Sequence, residues 1–400
     1  MNRFLIDSSF LGSSKHIIGD HEGFILTETI PRDAWHLTGN FKNNKCLDTL
    51  LRLNGNKLSL IPEKYRNAIS CVTSGSQDVN IPWRYVLPSD EFKIFFKNTV
   101  GEISNSFSNL PFDYYEKAWM SGSRVLASLR TAKIDLNALN EHIAKSDQVN
   151  PALESFKPKR SGFSRPITYD RFATRTGRLT VTDGPNILIL KKDYRDIISS
   201  SWAGGTICYL DFRALEARIV LAESGRYSDE EDLYDDIAKK QFCETIPRDI
   251  VKTAILSKLY GISRSALKTR LGISDIKLDG FIGTLEEYFG IDSLNSKLRN
   301  EHADSGLIRN RFGRPLQVPG GQDNLLINTY AQSTGVDVSM IGFDGILQKL
   351  GTDGIRPLFV LHDAIILDVH PDRLCDVEGI KDIDICGYEK NFPIKFEKVF

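Results

Sequence analysis

The sequence predicts an α+β protein of two or three domains, and three kinds of segment carry that prediction. An apolar run at 206–212 has the composition of a buried strand and carries Asp211 near its end. Two more apolar runs, 358–361 and 364–367, flank His362-Asp363 as two strands would flank a tight turn. Helical patterns cover 213–224, 247–260 and 324–349. The 400 residues, with 41% hydrophobic content, are enough to bury a large core.

Local signals justify the boundaries of these elements. Gly225 follows the first helical pattern, where glycine commonly ends a helix. Pro247 suits the first turn of the second pattern, because a backbone N–H is not needed there. The third pattern is predicted to be one long amphipathic helix. Residues 113–146 are also helical in pattern, whereas 1–110 mix short apolar runs with Gly, Asn, Ser and Pro, which indicates a small α/β or irregular region.

Composition excludes several classes of protein. The net charge is −1 and the sequence pI is about 6.7, so a nucleic-acid contact must come from local basic clusters. Six cysteines occur without a Cys-x-x-Cys pair, which favours reduced thiols in a cytoplasmic protein over a metal or disulfide framework. We expect no signal peptide and no contact with a membrane, because no apolar run approaches the ~18 residues of a transmembrane helix.

The two strand-end acids are the first candidates for chemistry. A charge at the end of a buried strand is costly unless it is paired or binds a metal. Either acid alone is better interpreted as a cap or turn residue. If the strands of Asp211 and Asp363 are neighbours in one sheet, the two carboxylates can hold two Mg²⁺ ions for phosphoryl transfer.

A stripe on the predicted helix from 247 is the second candidate. Residues spaced by four drift slowly around one helix face. They read cation, cation, apolar, aromatic: Arg248, Lys252, Leu256 and Tyr260. That order suits the phosphates, sugar and base of a nucleoside triphosphate. For a lone helix, two simply solvated cations would be the better interpretation.

Five short motifs, each weak alone, make a strong set because of their order. They are Thr176-Gly-Arg-Leu179, Asp211-x4-Glu216-x-Arg218, Arg248-x3-Lys252-x7-Tyr260-Gly261, Asn328-x3-Gln332 and His362-Asp363. Together they resemble the family A, or polymerase I type, DNA polymerases over about residues 113–400. The resemblance is to a compact, phage-like member without a proofreading exonuclease domain. Asp20-His-Glu22 and Asn109–Asp113 echo the first two exonuclease motifs only faintly, and no third motif follows.

The resemblance implies a right-hand polymerase fold, with an antiparallel palm sheet, helical fingers and a helical thumb. The implied divisions are an N-terminal region of unclear fold, a thumb, a first palm part, fingers and a second palm part. Their bounds are 1–112, 113–164, 165–224, 225–308 and 309–400.

The resemblance also implies a role for each matching residue in a template-directed DNA polymerase. Asp211 and Asp363 would be the catalytic acids that bind two Mg²⁺ ions, and Lys252 would give a proton to the leaving pyrophosphate. The residues implied to contact the incoming dNTP are Arg248, Lys252, Leu256, Tyr260, Glu216 and Tyr234. Those implied to contact primer–template DNA are Arg178, Asn328, Gln332 and His362. A basic run over 157–178 suits DNA phosphates, and its first members are Lys157, Lys159 and Arg160; the competing interpretation is a solvated loop.

Three positions depart from the family pattern. Ala364 stands where Glu usually follows His-Asp, which removes a third carboxylate near the metals. Leu256 replaces a Phe or Tyr, and we expect altered discrimination at the sugar 3′ position. Tyr234 stands where His is frequent, so a hydrogen-bond donor remains but a positive charge does not.

Two alternatives stay open at this point. A single-subunit RNA polymerase shares such motifs, but Glu216 against the sugar would disfavour ribonucleotides. A non-catalytic DNA-binding scaffold derived from a polymerase is supported by Ala364 and opposed by the joint presence of the acids and cations. The small size also suggests an accessory processivity or exonuclease subunit as a partner.

Overall fold

In a computed structural model, the chain divides into two compact units. The first is Met1–Ser123 with Gly313–Pro315, and the second is Arg124–Phe312 with Leu316–Phe400. The structure describes residues 3–6, 15–20, 22–31, 34–36, 46–54, 62–72, 82–146, 148–158, 162–242, 246–262, 264–271, 275–318 and 325–399. The boundary after Ser123 falls inside the segment 113–164, whose assignment as the thumb remains a prediction.

The first unit combines a four-stranded sheet with helices. Its strands are β1 (Arg3–Ile6), β2 (His16–Asp20), β3 (Gly23–Thr27) and β4 (Ala34–His36), in the order β3-β2-β1-β4 with β1 and β4 parallel. Its helices are α1 (Cys46–Leu53), α2 (Glu63–Val72), α3 (Ser89–Ser108) and α4 (Phe112–Tyr114), and a π-helical turn follows at Tyr115–Trp119. Helix α3 packs on the sheet where Gly19 lacks a side chain, because a Cβ there would lie 2.1 Å from the Phe107 ring.

The second unit is built on a five-stranded antiparallel sheet. The strands are β9 (Thr206–Phe212), β12 (Ile355–Leu361), β13 (Ala364–Val369), β14 (Asp382–Ile383) and β15 (Phe392–Lys398), in the order β12-β13-β9-β15-β14. Three two-stranded ribbons accompany the sheet: β5 (Lys133–Ile134) with β8 (Ile198–Ser199), β6 (Thr168–Asp170) with β7 (Thr180–Asp183), and β10 (Leu307–Arg309) with β11 (Pro315–Gln317). The strand predicted at 206–212 and the hairpin around His362-Asp363 are confirmed.

The helices that follow α4 along the chain include those predicted over 213–224, 247–260 and 324–349. They are α5 (Met120–Ser128), α6 (Leu136–Ala144), α7 (Pro151–Ser155), α8 (Leu215–Glu223), α9 (Leu233–Phe242), α10 (Arg248–Leu259), α11 (Arg264–Leu271), α12 (Asp275–Phe289), α13 (Ile291–Ser305), α14 (Leu326–Leu350) and α15 (Leu374–Glu378). Helix α8 begins two residues later than predicted, because Ala214 is left-handed with φ 51°. Helix α14 is not amphipathic as predicted: it is buried on most of its surface, since α8, α10, α13 and β14 all pack against it.

Both faces of the five-stranded sheet carry buried side chains. On one face, Phe359 and Ile366 join a core with Leu153 and Phe156. On the other face, the Phe212 ring packs against Phe343, with ring centroids 5.6 Å apart. Strand β9 therefore has a packed core on each face, and this fixes the face of the sheet towards which each of its side chains points. No helix in the part of the chain that the structure describes has the length and apolar character needed to span a membrane.

Candidate active site

Two acids meet at one edge of the second unit's sheet. Asp211 lies at the end of β9, and Asp363 lies in the two-residue turn that joins β12 to β13. Strand β13 pairs directly with β9, with Ala364 opposite Asp211, and the Phe212 amide donates to the Asp363 carbonyl oxygen at 3.1 Å. The turn also holds His362 in the left-handed region, with φ 56°. The sequence expectation that the two acids belong to neighbouring strands is thus met by the sheet topology.

The electrostatics of this edge favour a bound cation. Burial raises the pKa of Asp211 to about 7, and the negative charge of Asp363 acts in the same direction. Burial also raises the pKa of Asp363. Among the described residues, no group of three or more His, Cys, Asp or Glu side chains is placed to hold a metal ion. Two carboxylates that destabilise each other's charged form nevertheless suit a divalent cation that takes its remaining oxygen ligands from substrate phosphate and water.

The two acids open into a cavity of about 470 Å³. Its lining includes all four residues of the α10 stripe: Arg248, Lys252, Leu256 and Tyr260. These cations therefore border the same space as the carboxylates. A cavity with acids on one wall and cations on another has the charge pattern that a metal-bound polyphosphate requires.

Tyr234 of α9 supports the two cations. The guanidinium carbon of Arg248 and the ammonium nitrogen of Lys252 each lie 5.8 Å from the centre of its ring. Burial raises the pKa of Tyr234, so the hydroxyl stays neutral beneath them. Arg248 also donates to Asp232 at 2.7 Å and to Asp249 at 2.9 Å. The position of Arg248 is thus set by two carboxylates and an aromatic face before any ligand binds.

Glu216 is the centre of a second polar cluster in the lining of the cavity, together with Arg178 and Tyr260. Its carboxylate accepts from Arg178 at 2.6 Å and is hydrogen-bonded to the Tyr260 hydroxyl. Burial, followed by the adjacent carboxylate, raises the pKa of Tyr260 to about 12, so Tyr260 is a neutral hydrogen-bond donor near pH 7. Glu216 lies in the first turn of α8, directly after the left-handed Ala214 and Leu215.

The residues implied to contact DNA are distributed differently. Gln332 and His362 line the cavity, whereas the Oδ1 atom of Asn328 is buried with no hydrogen-bond partner among the described residues. Lys157 pairs with Glu154 at 2.6 Å. Lys159 and Arg160 lie outside the described residues.

The structure adds cavity residues that the sequence reasoning missed. Lys395 reaches the site from β15, and Arg213 reaches it from the end of β9, paired with Glu231. Arg213 could have been suspected, because it follows Asp211 by two positions. Lys395 could not have been suspected, since it lies 184 residues after Asp211 in the sequence. Only the pairing of β15 with β9 brings Lys395 and Asp211 together.

This fold and site define a class of protein. An antiparallel sheet bears two acids at one end of its central strands, and a helix with two cations lines the same cavity. These are the palm and fingers of a right-hand polymerase.

Comparison with known proteins gives the family. Residues 123–387 match the model of DNA polymerase family A, so the chain belongs to that family. The resemblance predicted from the five motifs is confirmed, as is the right-hand α+β fold.

Individual relatives agree. The "DNA polymerase" of Mycobacterium phage L5 is 29% identical over 207 residues, which are 48% of this chain and 33% of that protein. A thermostable DNA polymerase I of Thermus thermophilus is 24% identical over 311 residues, 68% of this chain and 36% of that protein. The chain thus spans about a third of the length of these relatives. A solved structure, the POL domain of Pol1 from M. smegmatis in complex with DNA primer-template and dNTP, matches with a TM-score of 0.58 at 15% identity, covering 88% of this chain and 78% of that one.

Proposed function

We propose that this chain is a template-directed DNA polymerase, which adds dNTPs to a primer 3′-end and releases pyrophosphate. The observation that carries the proposal is the shared cavity, in which Asp211 and Asp363 stand on one wall and Arg248 and Lys252 on another. A scaffold that only binds DNA has no need for this combination. Membership of DNA polymerase family A supports the same reaction.

Members of the family use divalent metal ions, and two Mg²⁺ ions held by Asp211 and Asp363 would fit this site. The fit rests on the two partly buried carboxylates, because burial raises both of their pKa values and so disfavours their charged forms without a bound cation. When bound, the ions would favour ionisation of the primer 3′-hydroxyl and spread the charge of the triphosphate. Ala364 beside Asp211 supplies no side-chain oxygen, so backbone carbonyls, the substrate and water would provide the other ligands.

The wall formed by α10 would bind and orient the nucleotide. Arg248 and Lys252 would donate charge-assisted hydrogen bonds to the triphosphate, and Lys252 would give a proton to the pyrophosphate as it leaves. Tyr234 beneath both cations restricts their motion and so lowers the entropy lost on binding. Leu256 and Tyr260 would lie against the sugar and the base.

Glu216 would select the sugar of the incoming nucleotide. Its carboxylate is already held by Arg178 and Tyr260, so it cannot move aside freely to admit a 2′-hydroxyl. We expect Glu216→Ala to raise rNTP incorporation relative to dNTP at least tenfold, measured as the ratio of kcat/KM values. An unchanged ratio would remove the assigned role and would reopen the RNA polymerase alternative, which the relatives do not support.

Contacts to primer–template DNA would come from Arg178, Asn328, Gln332 and His362, and from the basic run that begins at Lys157 and includes Lys159 and Arg160. Asn328 brings a buried carbonyl oxygen without a partner among the described residues, as a ligand-binding side chain would. Phosphate contacts of this kind weaken as salt rises. We also propose an accessory processivity or exonuclease subunit as a partner. If gel filtration of the native complex showed the chain alone, that result would argue against such a subunit.

Primer extension tests the proposal. Wild-type protein is incubated with a primed DNA template, Mg²⁺ and dNTPs, beside Asp211→Ala and Asp363→Ala. Asp382→Ala is the matched control, because Asp382 is an exposed acid on β14 of the same sheet and does not line the cavity. Extension by wild type and Asp382→Ala, abolished in the other two variants, would establish the polymerase. Intact DNA binding without extension by any of the four would favour the scaffold.

A further inference from the structure

Lys395 is a cation beside the catalytic acids that the motifs do not include. It stands on β15 directly opposite Asp211 of β9, and Ala364 stands opposite Asp211 on the other side. Directly opposed residues in an antiparallel pair point to the same face, with Cβ atoms ~5 Å apart. Lys395 accordingly lines the cavity, with 43% of its side chain exposed. The two neighbours of Asp211 across the sheet are thus Ala364, which is uncharged, and Lys395, which is a cation.

The ammonium group of Lys395 is restrained only weakly. It pairs with Glu397, two residues along the same strand and on the same face. Glu397 also accepts from Lys192 at 3.3 Å, so two lysines share this carboxylate. An ion pair this exposed contributes little stability, and the flexible lysine stem allows the ammonium group to turn from Glu397 to another anion.

The position of Lys395 indicates which kind of anion its ammonium group would bind. The acid Asp363 approaches Asp211 from the β13 side, and Lys395 approaches from the opposite, β15 side. The cations Arg248 and Lys252 border the same cavity from the helical wall. A ligand that lies along the acids and meets cations from both the palm and the fingers must carry several negative charges in a row, as a polyphosphate does.

We propose that Lys395 is a phosphate-binding residue of the nucleotide site, which contacts the β- and γ-phosphates of the incoming dNTP and holds the pyrophosphate until it leaves. The inference rests on the proposed polymerase function, because that function supplies the ligand. It assigns the palm sheet a direct part in nucleotide binding, in addition to its acids.

Binding of inorganic tripolyphosphate tests this without chemistry. Isothermal titration in Mg²⁺ buffer, without DNA, compares wild type with Lys395→Ala, Lys395→Arg and Lys192→Ala. Loss of one charge-assisted contact should weaken tripolyphosphate binding by Lys395→Ala roughly tenfold, and arginine should restore most of it. Lys192→Ala is the matched control, since Lys192 pairs with the same Glu397 but does not line the cavity, and it should bind like wild type.

Steady-state extension provides the second arm. Lys395→Ala should raise the KM for dNTP about as much as it weakens tripolyphosphate binding, with the affinity for primed DNA unchanged. Equal tripolyphosphate binding by wild type and Lys395→Ala would overturn the inference. So would a loss of DNA affinity with unchanged KM, because Lys395 would then contact a primer or template phosphate.

Failure of the inference is distinguishable from failure of the polymerase proposal. If wild type extends primers and Lys395→Ala matches it in both arms, only the inference fails. If wild type binds tripolyphosphate through Lys395 but extends no primer, the phosphate site stands and the polymerase proposal fails. A lower Mg²⁺ requirement in Lys395→Ala, with tripolyphosphate binding unchanged, would assign Lys395 to competition with the metal and overturn the inference.

Discussion

Neutralising Asp211 should stabilise the metal-free protein, even though it abolishes activity. The pKa of Asp211 is raised to about 7 by burial and by Asp363, so the folded state prefers the protonated carboxyl more than the unfolded state does. That preference stabilises the fold fully below about pH 4, the pKa of an unfolded aspartate. It is lost as pH rises towards 7, and above pH 7 the carboxylate opposes folding. The asparagine side chain of Asp211→Asn is uncharged at every pH, so the variant lacks this unfavourable contribution to the folding free energy.

The size of the effect follows from the shift. A rise of about three pKa units corresponds to ~4 kcal/mol at pH 8, and partial access of water to the carboxylate reduces this to ~2 kcal/mol. For a unit of this size the gain amounts to ~4–8 °C in Tm. At pH 5 only roughly a third of the gain should remain, because the wild-type carboxyl is then mostly protonated in the folded state.

Thermal unfolding in EDTA at pH 8 and pH 5 measures both quantities. Asp368→Asn is the matched control: Asp368 is buried in the same sheet, but it accepts from the Ser200 and Ser201 hydroxyls at 2.6 Å each and from the Ser201 amide at 2.9 Å. Removing that charge weakens hydrogen bonds to a charged acceptor and should lower stability by ~1.5–3 kcal/mol. A Tm for Asp211→Asn at or below wild type at pH 8, or a gain equally large at pH 5, would refute the electrostatic reasoning.

Three further outcomes are expected. Gly342→Ala should destabilise the protein by ~1–3 kcal/mol in urea unfolding, because a Cβ would lie 2.6 Å from the packed Phe212 ring. Gly345→Ala on the same helix should instead stabilise it by ~0.5–1 kcal/mol, since its Cβ meets an ordinary contact at 3.7 Å; equal effects of the two would refute the packing argument. Leu256→Phe should alter the ratio of dideoxy- to deoxynucleotide incorporation, measured as kcat/KM, and an unchanged ratio would show that this residue does not reach the sugar.

The sequence could predict those parts of the site whose signals are local. An apolar run followed by an acid predicts β9 and Asp211, and a two-residue turn between apolar runs predicts Asp363. The spacing of four along α10 predicts which side chains share a wall, because helix geometry alone decides it. These signals operate over fewer than about 20 residues and depend on no other part of the fold.

Other features depend on contacts between distant segments. Lys395 becomes a cavity residue only because β15 pairs with β9, and nothing near residue 395 records that pairing. The polar side chains of helix α14 predict a solvent-exposed face, and such a face would make the helix amphipathic. Several of them, including Ser333 and Asp337, are buried and accept hydrogen bonds from Asn310. Polar residues that are satisfied inside a fold cannot be told from exposed ones by sequence pattern.

The end of the sheet that carries the acids combines two unfavourable features. Asp211 and Asp363 oppose each other's charge, and both Ala214 and His362 occupy left-handed backbone conformations. Such conformations cost of order 1–3 kcal/mol each, and they persist only where the surroundings enforce them. Here the enforcement comes from β9, which is paired on both sides and whose Phe212 packs into the core on one face of the sheet. The strand end therefore holds two carboxylates that oppose each other's charge, and a cation bound by both would stabilise the fold by its binding free energy.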